Sequence, residues 1–461
     1  MMTDSTKSYF PVSNPMISFW LSESDEFKHH RTTDFLPQEA DVVIIGSGFS
    51  GASTAYYLYQ DNPTPPKIVM LEARDVCSGA TGRNGGHIKP DNYRGYLRHA
   101  KNFGTSNAAQ LINFENKNFK EIAKLVSKEN IACDLVLTRA VDVDMTPEEQ
   151  QKTVDGYSAM MKNSSVENKE DIQIHFGETA KIISKVPDAE TCITYPAGQI
   201  WPYKFVVALL QICIKKGMNL QSNTMVIKTS KLNNDKFLVK TSRGDILADK
   251  IVIATNAYTK AIAPEFDGKI FPIKGTCTHI VSACKSESLP YLTNTYSLRY
   301  SGSKSDYMIP RPDGSIVVGG AKKHIFPYRE KFFDVVDDSN LIENTDRYFD
   351  NWLQKHFISM KSLNTVVDYA WPGILGYSND SLPYVGESVS ETNKFVIAGF
   401  HGHGMPRILL CGKAIANCIK KGTSIEDEEV PDCFKISSHR MNNNDNSLLE
   451  SSLTHSFALK K

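Results

Sequence analysis

The chain has 461 residues, 41% of them apolar, and carries 52 basic and 52 acidic side chains. That size supports about two to four folding units with substantial cores, and the balanced charge excludes a globally basic surface built for nucleic acid or an anionic membrane. No stretch has the length and apolarity of a membrane helix, which argues against membrane insertion.

Residues 1–38 are polar apart from "MISFWL", where Phe19, Trp20 and Leu21 are expected to anchor an irregular arm. The start, "MMTDSTKSYF", lacks the basic-then-apolar order of a secretory signal, and the end, "FALKK", is not of the Ser-Lys-Leu type. Nine scattered cysteines, odd in number and without a C-x-x-C pair, fit reduced thiols and a cytoplasmic setting, with peroxisome and mitochondrion left open.

The run Val42 to Ile45 is short, β-branched and uninterrupted, as suits a central strand of a parallel sheet. Gly46, Gly48 and Gly51 follow in G-x-G-x-x-G spacing: a tight turn, a place for backbone to approach a pyrophosphate, and a close seat for the next helix. A second strand, "KIVMLEA", ends in Glu72, whose carboxylate can accept a ribose hydroxyl. This order points to an adenine dinucleotide. The loop "ARDVCSGATGRNGGHIKPD" then brings Gly79, Gly82, Gly85 and Gly86 into a second glycine-rich contact. An extended FAD uses such a contact and a nicotinamide dinucleotide does not, so FAD is the expected cofactor.

From about Asn102 to Lys162 helical stretches such as "NAAQLINFENKNFKEIAKLV" dominate, followed by a surface loop, "KNSSVENKED". Pro202 and Gly217 bracket a helix in "WPYKFVVALLQICIKKGMNL", and "TMVIKTS", "KFLVKTS" and "KIVIATNAY" read as strands. Residues 263–364 carry alternating strands and the Asp313-Gly314 turn of an antiparallel substrate domain. A last apolar strand, "KFVIAGF", feeds the turn "GFHGHGMP" and a helix, "PRILLCGKAIANCI", before a low-complexity tail expected to be mobile. The resulting division assigns 1–98, 186–262 and 365–461 to a nucleotide domain, and 99–185 and 263–364 to a substrate domain.

The backbone N–H groups of Gly402, His403, Gly404 and Met405 read as unpaired donors for the negative charge that gathers at flavin N1 and the C2 carbonyl, worth about 3 kcal/mol each. No third ligand accompanies His401 and His403, so no metal site is expected.

Together, "VVIIGSGFSGASTAYYL", "LEARDVCSGATGRNGGH", "IVIATNAYT", "WPGILGYSNDSLPYVGE" and "FVIAGFHGHGMP" resemble the FAD-dependent D-amino acid oxidase superfamily, specifically its sarcosine oxidase-like, fungal-type amine oxidoreductases, over residues 38–422. The resemblance implies an α/β fold: a glutathione reductase-type FAD-binding Rossmann domain, interleaved with a substrate domain on a mixed or antiparallel sheet. It implies oxidation of a C–N bond by hydride transfer to flavin N5, adenine contact at Val226, and closure of the nucleotide side by Ala254, Thr255 and Asn256. The candidate cofactor contacts are then Gly46, Ser47, Gly48, Phe49, Ser50 and Gly51 in the first turn and Glu72, Ala73 and Arg74 after the second strand. They continue through Gly79, Ala80, Thr81, Asn84, Gly85, Gly86 and His87 in the loop, Gly373, and Gly402, His403, Gly404 and Met405.

Covalent sarcosine oxidases carry a cysteine just before the tyrosine of "GILGYSND", where Leu375 and Gly376 precede Tyr377 here. Dimethylglycine dehydrogenase-like relatives carry a linking histidine where Asn84 stands. FAD is therefore expected to bind without a covalent bond. Pro406 and Arg407 replace the lysine that holds sarcosine's carboxylate, and "SIVVGG" lacks the oxygen-activating lysine. A small amine or amino acid other than sarcosine is expected as substrate, with oxygen or another molecule as acceptor and oxygen the slower. His87, Tyr307, Tyr377, His403 and Lys274 are the catalytic candidates. Oxidation of a 2-hydroxy acid or polyol, and a non-catalytic platform like the escort proteins of prenylated GTPases, are the alternatives.

Overall fold

Residues 7–23, 26–284, 289–302 and 304–453 are described by a computed structural model. The first six residues and "FALKK" lie outside them. Two sheets organise the chain, eight-stranded and nine-stranded among the described residues.

The first sheet is built outward from Glu39–Ile45, which pairs in parallel with Gly244–Ile253 on one side and Ile68–Leu71 on the other. Lys394–Ala398 and Asn219–Gln221 extend the parallel core, Tyr384–Glu387 closes one edge antiparallel, and Val226–Lys231 and Phe237–Thr241 add an antiparallel ribbon to Gly244–Ile253. Val42 to Ile45 are all buried, Val42 and Ile44 in a core with the helical residues Phe49, Phe205 and Leu409, and Val43 and Ile45 in one with the ribbon residues Val226, Phe237 and Val239, as an uninterrupted β-branched run covered on both faces requires. The helix Phe49–Tyr59 is buried at every residue and packs on the helices Pro202–Lys215 and Ile408–Lys421. A Cβ on Gly51 would lie 2.0 Å from Gly46 O, and one on Gly412 would lie 2.6 Å from Ser53 Cβ. These two glycines set the helix on its strand and on its neighbour.

The second sheet runs Thr365–Ser378, Ile270–Ser282, Ile316–Gly320, Ser305–Pro310, Thr295–Arg299, Val136–Asp144, Thr191–Gln199, His87–Ile88, with Gln173–Phe176 on Thr191–Gln199. It is antiparallel except where Thr295–Arg299 pairs in parallel with Val136–Asp144, which makes it mixed. The expected boundaries at 186 and 365 shift accordingly. Thr191–Gln199 is almost wholly buried, so its pattern resembles a first-sheet strand, yet it bonds to Val136–Asp144 along nine residue pairs. Thr365–Ser378 belongs beside Ile270–Ser282 because the two run antiparallel along nearly their whole length.

The tail is not loose through residue 453. Ser438–Asn442 and Ser447–Leu453 are helices, and Leu449 and Leu453, one helical turn apart, are buried in the second-sheet core. Lys269 Nζ donates to Asn443 O at 2.7 Å and Leu449 N to Asn379 O at 3.1 Å. Polar low complexity concealed an i, i+4 leucine pair. At the other end Phe19–Leu21 forms a 3-10 turn with Trp20 buried and its indole N–H donating to Asn84 O, so the arm is anchored where expected.

Candidate active site

Between the sheets lies a cavity of about 540 Å³. The glycine turn enters it first. Gly46 has φ +109°, and a Cβ there would sit 2.6 Å from Ala254 O, so the turn is fixed by the neighbouring strand. Gly48 differs: its φ is ordinary, and a Cβ would meet only Thr81 Oγ1 at 3.1 Å. The protein's own packing demands glycine at 46 and 51; at 48 the packing leaves a Cβ only the Thr81 side chain to meet, on the cavity wall. Gly79, whose Cβ would meet nothing within 4 Å, belongs to the same open cradle. Phe49 N donates to Thr81 Oγ1 at 3.0 Å, leaving the N-terminus of the Phe49–Tyr59 helix facing the cavity through Ser50.

Glu72 stands on the wall with both oxygens braced. Ser47 donates through N (3.1 Å) and Oγ (2.7 Å) to one oxygen, and Arg74 N donates to the other at 3.1 Å. A carboxylate held this way keeps lone pairs for a diol. Ser47, Gly51 and Gly86 do not line the cavity: Ser47 positions Glu72 and accepts from Cys77 N at 2.9 Å, Gly51 seats the helix, and Gly86 turns at φ +84° beneath Trp20. The other candidate cofactor residues all reach the wall, including Ala73, Ala80, Gly85, Val226, Ala254, Thr255 and Gly373. Asn84 spends its amide inside the loop, donating to Thr81 O at 3.0 Å and accepting from Gly86 N at 2.7 Å. Asn256 spends its carbonyl on Gly399 N (3.0 Å) and Phe400 N (3.2 Å), tying the "ATN" strand end to the third glycine cluster.

In that cluster the donor set is smaller than expected. His403 N is already bonded to Phe400 O at 2.9 Å, because residues 400–403 close a turn. The N–H groups of Gly402, Gly404 and Met405 have no acceptor among the described residues and remain as donors on the cavity wall. The His403 side chain has a role of its own. Its Nε2 meets Glu115 Oε2 at 2.9 Å, Arg407 Nε donates to Glu115 Oε1 at 2.7 Å, and Asp91 N donates to the same carboxylate at 2.7 Å. These partners hold the buried Glu115 carboxyl down to about 2 against the desolvation that would raise it. Glu115, on the helix Tyr96–Lys128, gave no sequence signal; it reads as one acidic residue on a helical face.

The four remaining catalytic candidates also share the cavity. Tyr307 lies against Gly85 and Gly319, where a Cβ would come within 2.5 Å and 2.3 Å of its ring atoms, and its hydroxyl meets Cys277 Sγ at 3.0 Å. His87 stands edge-on to it at 5.2 Å between centroids and pairs Nδ1 with Thr295 Oγ1 at 2.6 Å. Burial drives His87 down to about 3, pushes the Cys277 thiol up to about 12 and raises the Tyr307 phenol, so this wall is uncharged at neutral pH. Tyr377 lies tilted against His401 beside Gly402, 4.2 Å between ring centroids. Lys274, 7% exposed, lines the wall on the strand Ile270–Ser282.

Beyond Tyr307 the wall turns polar. Asp142, buried, gathers Tyr93 Oη (2.9 Å), Tyr195 Oη (3.0 Å), Arg299 Nη2 (2.8 Å) and Lys89 Nζ. Lys89 and Arg299 hold its carboxyl well below the usual range despite desolvation. Lys89 sits in the quoted loop, but only the fold brings it to Asp142 and Arg299.

A family model for FAD dependent oxidoreductases (DAO) matches residues 41–418. A probable oxidoreductase, OrdL, of Haemophilus influenzae is 23% identical over 83% of this chain and 83% of its own length. Gamma-glutamylputrescine oxidoreductase of Escherichia coli is 23% identical over 91% of this chain and 90% of its own. Among solved structures, glycine oxidase from Geobacillus kaustophilus superposes with a TM-score of 0.69 at 17% identity, covering 87% of this chain and 99% of that one. With the braced glutamate, the three glycine clusters and the match over residues 41–418, the chain belongs to the DAO family of FAD-dependent oxidoreductases.

Proposed function

We propose that the chain oxidises the C–N bond of a small amine or amino acid that also carries an acidic group, giving an imine that water hydrolyses. Bound FAD supplies the electron sink, at N5. The observation that carries the reading is the division of one cavity into an uncharged wall and a basic end. Hydride loss from carbon beside nitrogen needs a neutral amine on a dry face, more than a strong base. His87, Cys277 and Tyr307 provide such a face, their neutral forms held by burial. At the far end Lys89, Arg94, Arg299 and Lys322 line the cavity against Asp91 on the wall and Asp142 and Glu149 behind it: four cations to three carboxylates. Asp144, pushed up to about 7 by burial, adds no full negative charge at neutral pH. The positive excess suits a carboxylate, held by Lys89 and Arg299 while the amine meets the uncharged wall. The relatives named gamma-glutamylputrescine oxidoreductase, 4-methylaminobutanoate oxidase and glycine oxidase support action on a C–N bond.

Anaerobic bleaching of the flavin by a panel of amines, amino acids, 2-hydroxy acids and polyols tests the reading. Bleaching by carboxylated amines and not by hydroxy acids is expected; the reverse assigns the activity to a C–O bond. Lys89→Met is expected to raise KM for a carboxylated amine by about tenfold, the worth of one charge-assisted hydrogen bond. An equal rise for the amine without its carboxylate overturns the role given to Lys89.

No cysteine or histidine stands at the two attachment positions, and Cys277, the thiol on the wall, is held protonated. Acid precipitation is therefore expected to release all the flavin into the supernatant. Yellow colour staying with the pellet means a covalent bond.

No helix among the described residues is long and apolar enough to cross a membrane, and no disulfide joins the cysteines among them. A cytoplasmic site of action is the setting we propose, by the sequence argument on thiols.

A further inference from the structure

Residues 7–16 precede the segment matched by the family model, yet they reach the cavity. Phe10 and Pro11 line it, and Phe10 packs on the first-sheet core that contains Val226, Ile262 and Phe237. The segment has no helix or strand of its own. Its order comes from anchors on either side of Phe10. Before it, Tyr9 Oη donates to Asp334 Oδ2 at 2.7 Å and Lys7 Nζ to the same oxygen at 2.8 Å. Lys260 Nζ bonds Asp334 Oδ1 at 2.8 Å and lies 3.6 Å from the Tyr9 ring centroid. After it, Arg74 Nη1 donates to Val12 O at 3.3 Å while paired with Asp338 Oδ1 at 2.8 Å, and Met16 N donates to Asp338 O at 2.8 Å.

The Lys7 bridge is exposed and contributes little. The side chains of Lys260 and Arg74 are 3% and 8% exposed, and ion pairs that dry are costly to break singly. Both aspartates sit in one short segment, 334–338, so a single stretch of chain latches the arm down over the nucleotide half of the cavity. Phe10 and Pro11 supply apolar wall there, beside Met225, Val226 and Ile262.

We infer that residues 7–12 are a strap over the nucleotide half of the cofactor site, with Phe10 and Pro11 as cofactor-retaining residues and the segment 334–338 as the latch. The inference rests on FAD occupying the cavity. FAD then leaves when the arm lifts, and the arm adds its own control of the release rate to the hold of the glycine turn.

The test follows release of FAD from the purified holoprotein after dilution, by recovery of flavin fluorescence. Phe10→Ala and Asp334→Asn are expected to speed release by about tenfold or more, and Leu36→Ala, on the same core but off the cavity, to leave it within about twofold. Release rates of Phe10→Ala and Asp334→Asn within about twofold of the parent overturn the strap. So does an equal acceleration by Leu36→Ala, which would mark general loosening of that core. Limited proteolysis of the unaltered protein gives a second reading. Cuts within residues 7–16 are expected to appear sooner after FAD is stripped than in the holoprotein, and equal rates overturn the inference. A purified parent without flavin, and unable to take it up, instead counts against the cofactor reading on which the strap stands.

Discussion

Gly48→Val is expected to give a folded protein that retains no FAD. The free volume around this position explains why the two properties separate. A Cβ at 48 meets only the movable Thr81 hydroxyl, at 3.1 Å, so the protein alone accommodates it with a small shift of that side chain. The branched remainder of valine then projects where backbone is open to a pyrophosphate. Loss of that contact is expected to weaken FAD binding at least about a hundredfold, or about 2.7 kcal/mol. The added thermal stability that FAD confers on the parent should vanish with it. Gly51→Val is the contrasting variant. Its Cβ falls 2.0 Å from Gly46 O, so the strand and helix separate and the apoprotein itself unfolds. Flavin content by absorbance and melting of the stripped proteins distinguish the two. Normal flavin content in folded Gly48→Val removes the pyrophosphate from this turn.

Protein reduced by its substrate is expected to pass electrons to an artificial dye at least about ten times faster than to dissolved oxygen. Oxygen takes up its first electron readily where a positive charge stabilises the superoxide that forms. The strand Ile316–Gly320 offers no lysine. Lys274 does line the cavity, but burial lowers its pKa and the carboxylates of Asp337 and Asp338 attract it from behind. A cation compensated in this way gives a weaker field at the reaction face. Stopped-flow mixing of anaerobically reduced protein with air or with dye measures both rates. An air rate equal to the dye rate identifies an oxidase, in which Lys274→Met should slow reoxidation while anaerobic reduction by substrate stays unchanged.

Local signals in the chain are legible where one residue type has one physical use. The run Val42 to Ile45, the three glycines and Glu72 have that character: the run lies in the parallel core of the first sheet, and Gly46, Gly48 and Glu72 lie on the cavity wall. Its place in the glycine turn points Ser47 at the cofactor, whereas its hydroxyl braces Glu72, a distinction that depends on a rotamer. Thr191–Gln199 lies in the second sheet, and a strand buried on both faces carries no mark of which sheet buries it. Glu115, Asp142 and Arg299 were missed for a different reason. Each is an isolated charged residue in the chain, and its meaning comes from partners far off in sequence: His403 and Arg407 for Glu115, Lys89 for Asp142 and Arg299. Long-range charge pairing has no period to detect.

The buried ties between the two halves bear on how a substrate gets in. Arg74 and Asp338, Arg83 and the carbonyl of Pro372, and Glu115 with Arg407 all join segments more than two hundred residues apart. Opening the halves like a clamshell would break all of these buried contacts at once. The polypeptide also passes repeatedly from one sheet to the other, so it has no single hinge about which to swing. Admission then falls to side chains and short loops at the cavity mouth, moving on nanosecond to microsecond scales. Turnover in a frame tied this way is expected to be paced by chemistry or product escape, and a kcat that does not change with solvent viscosity would point to the chemical step.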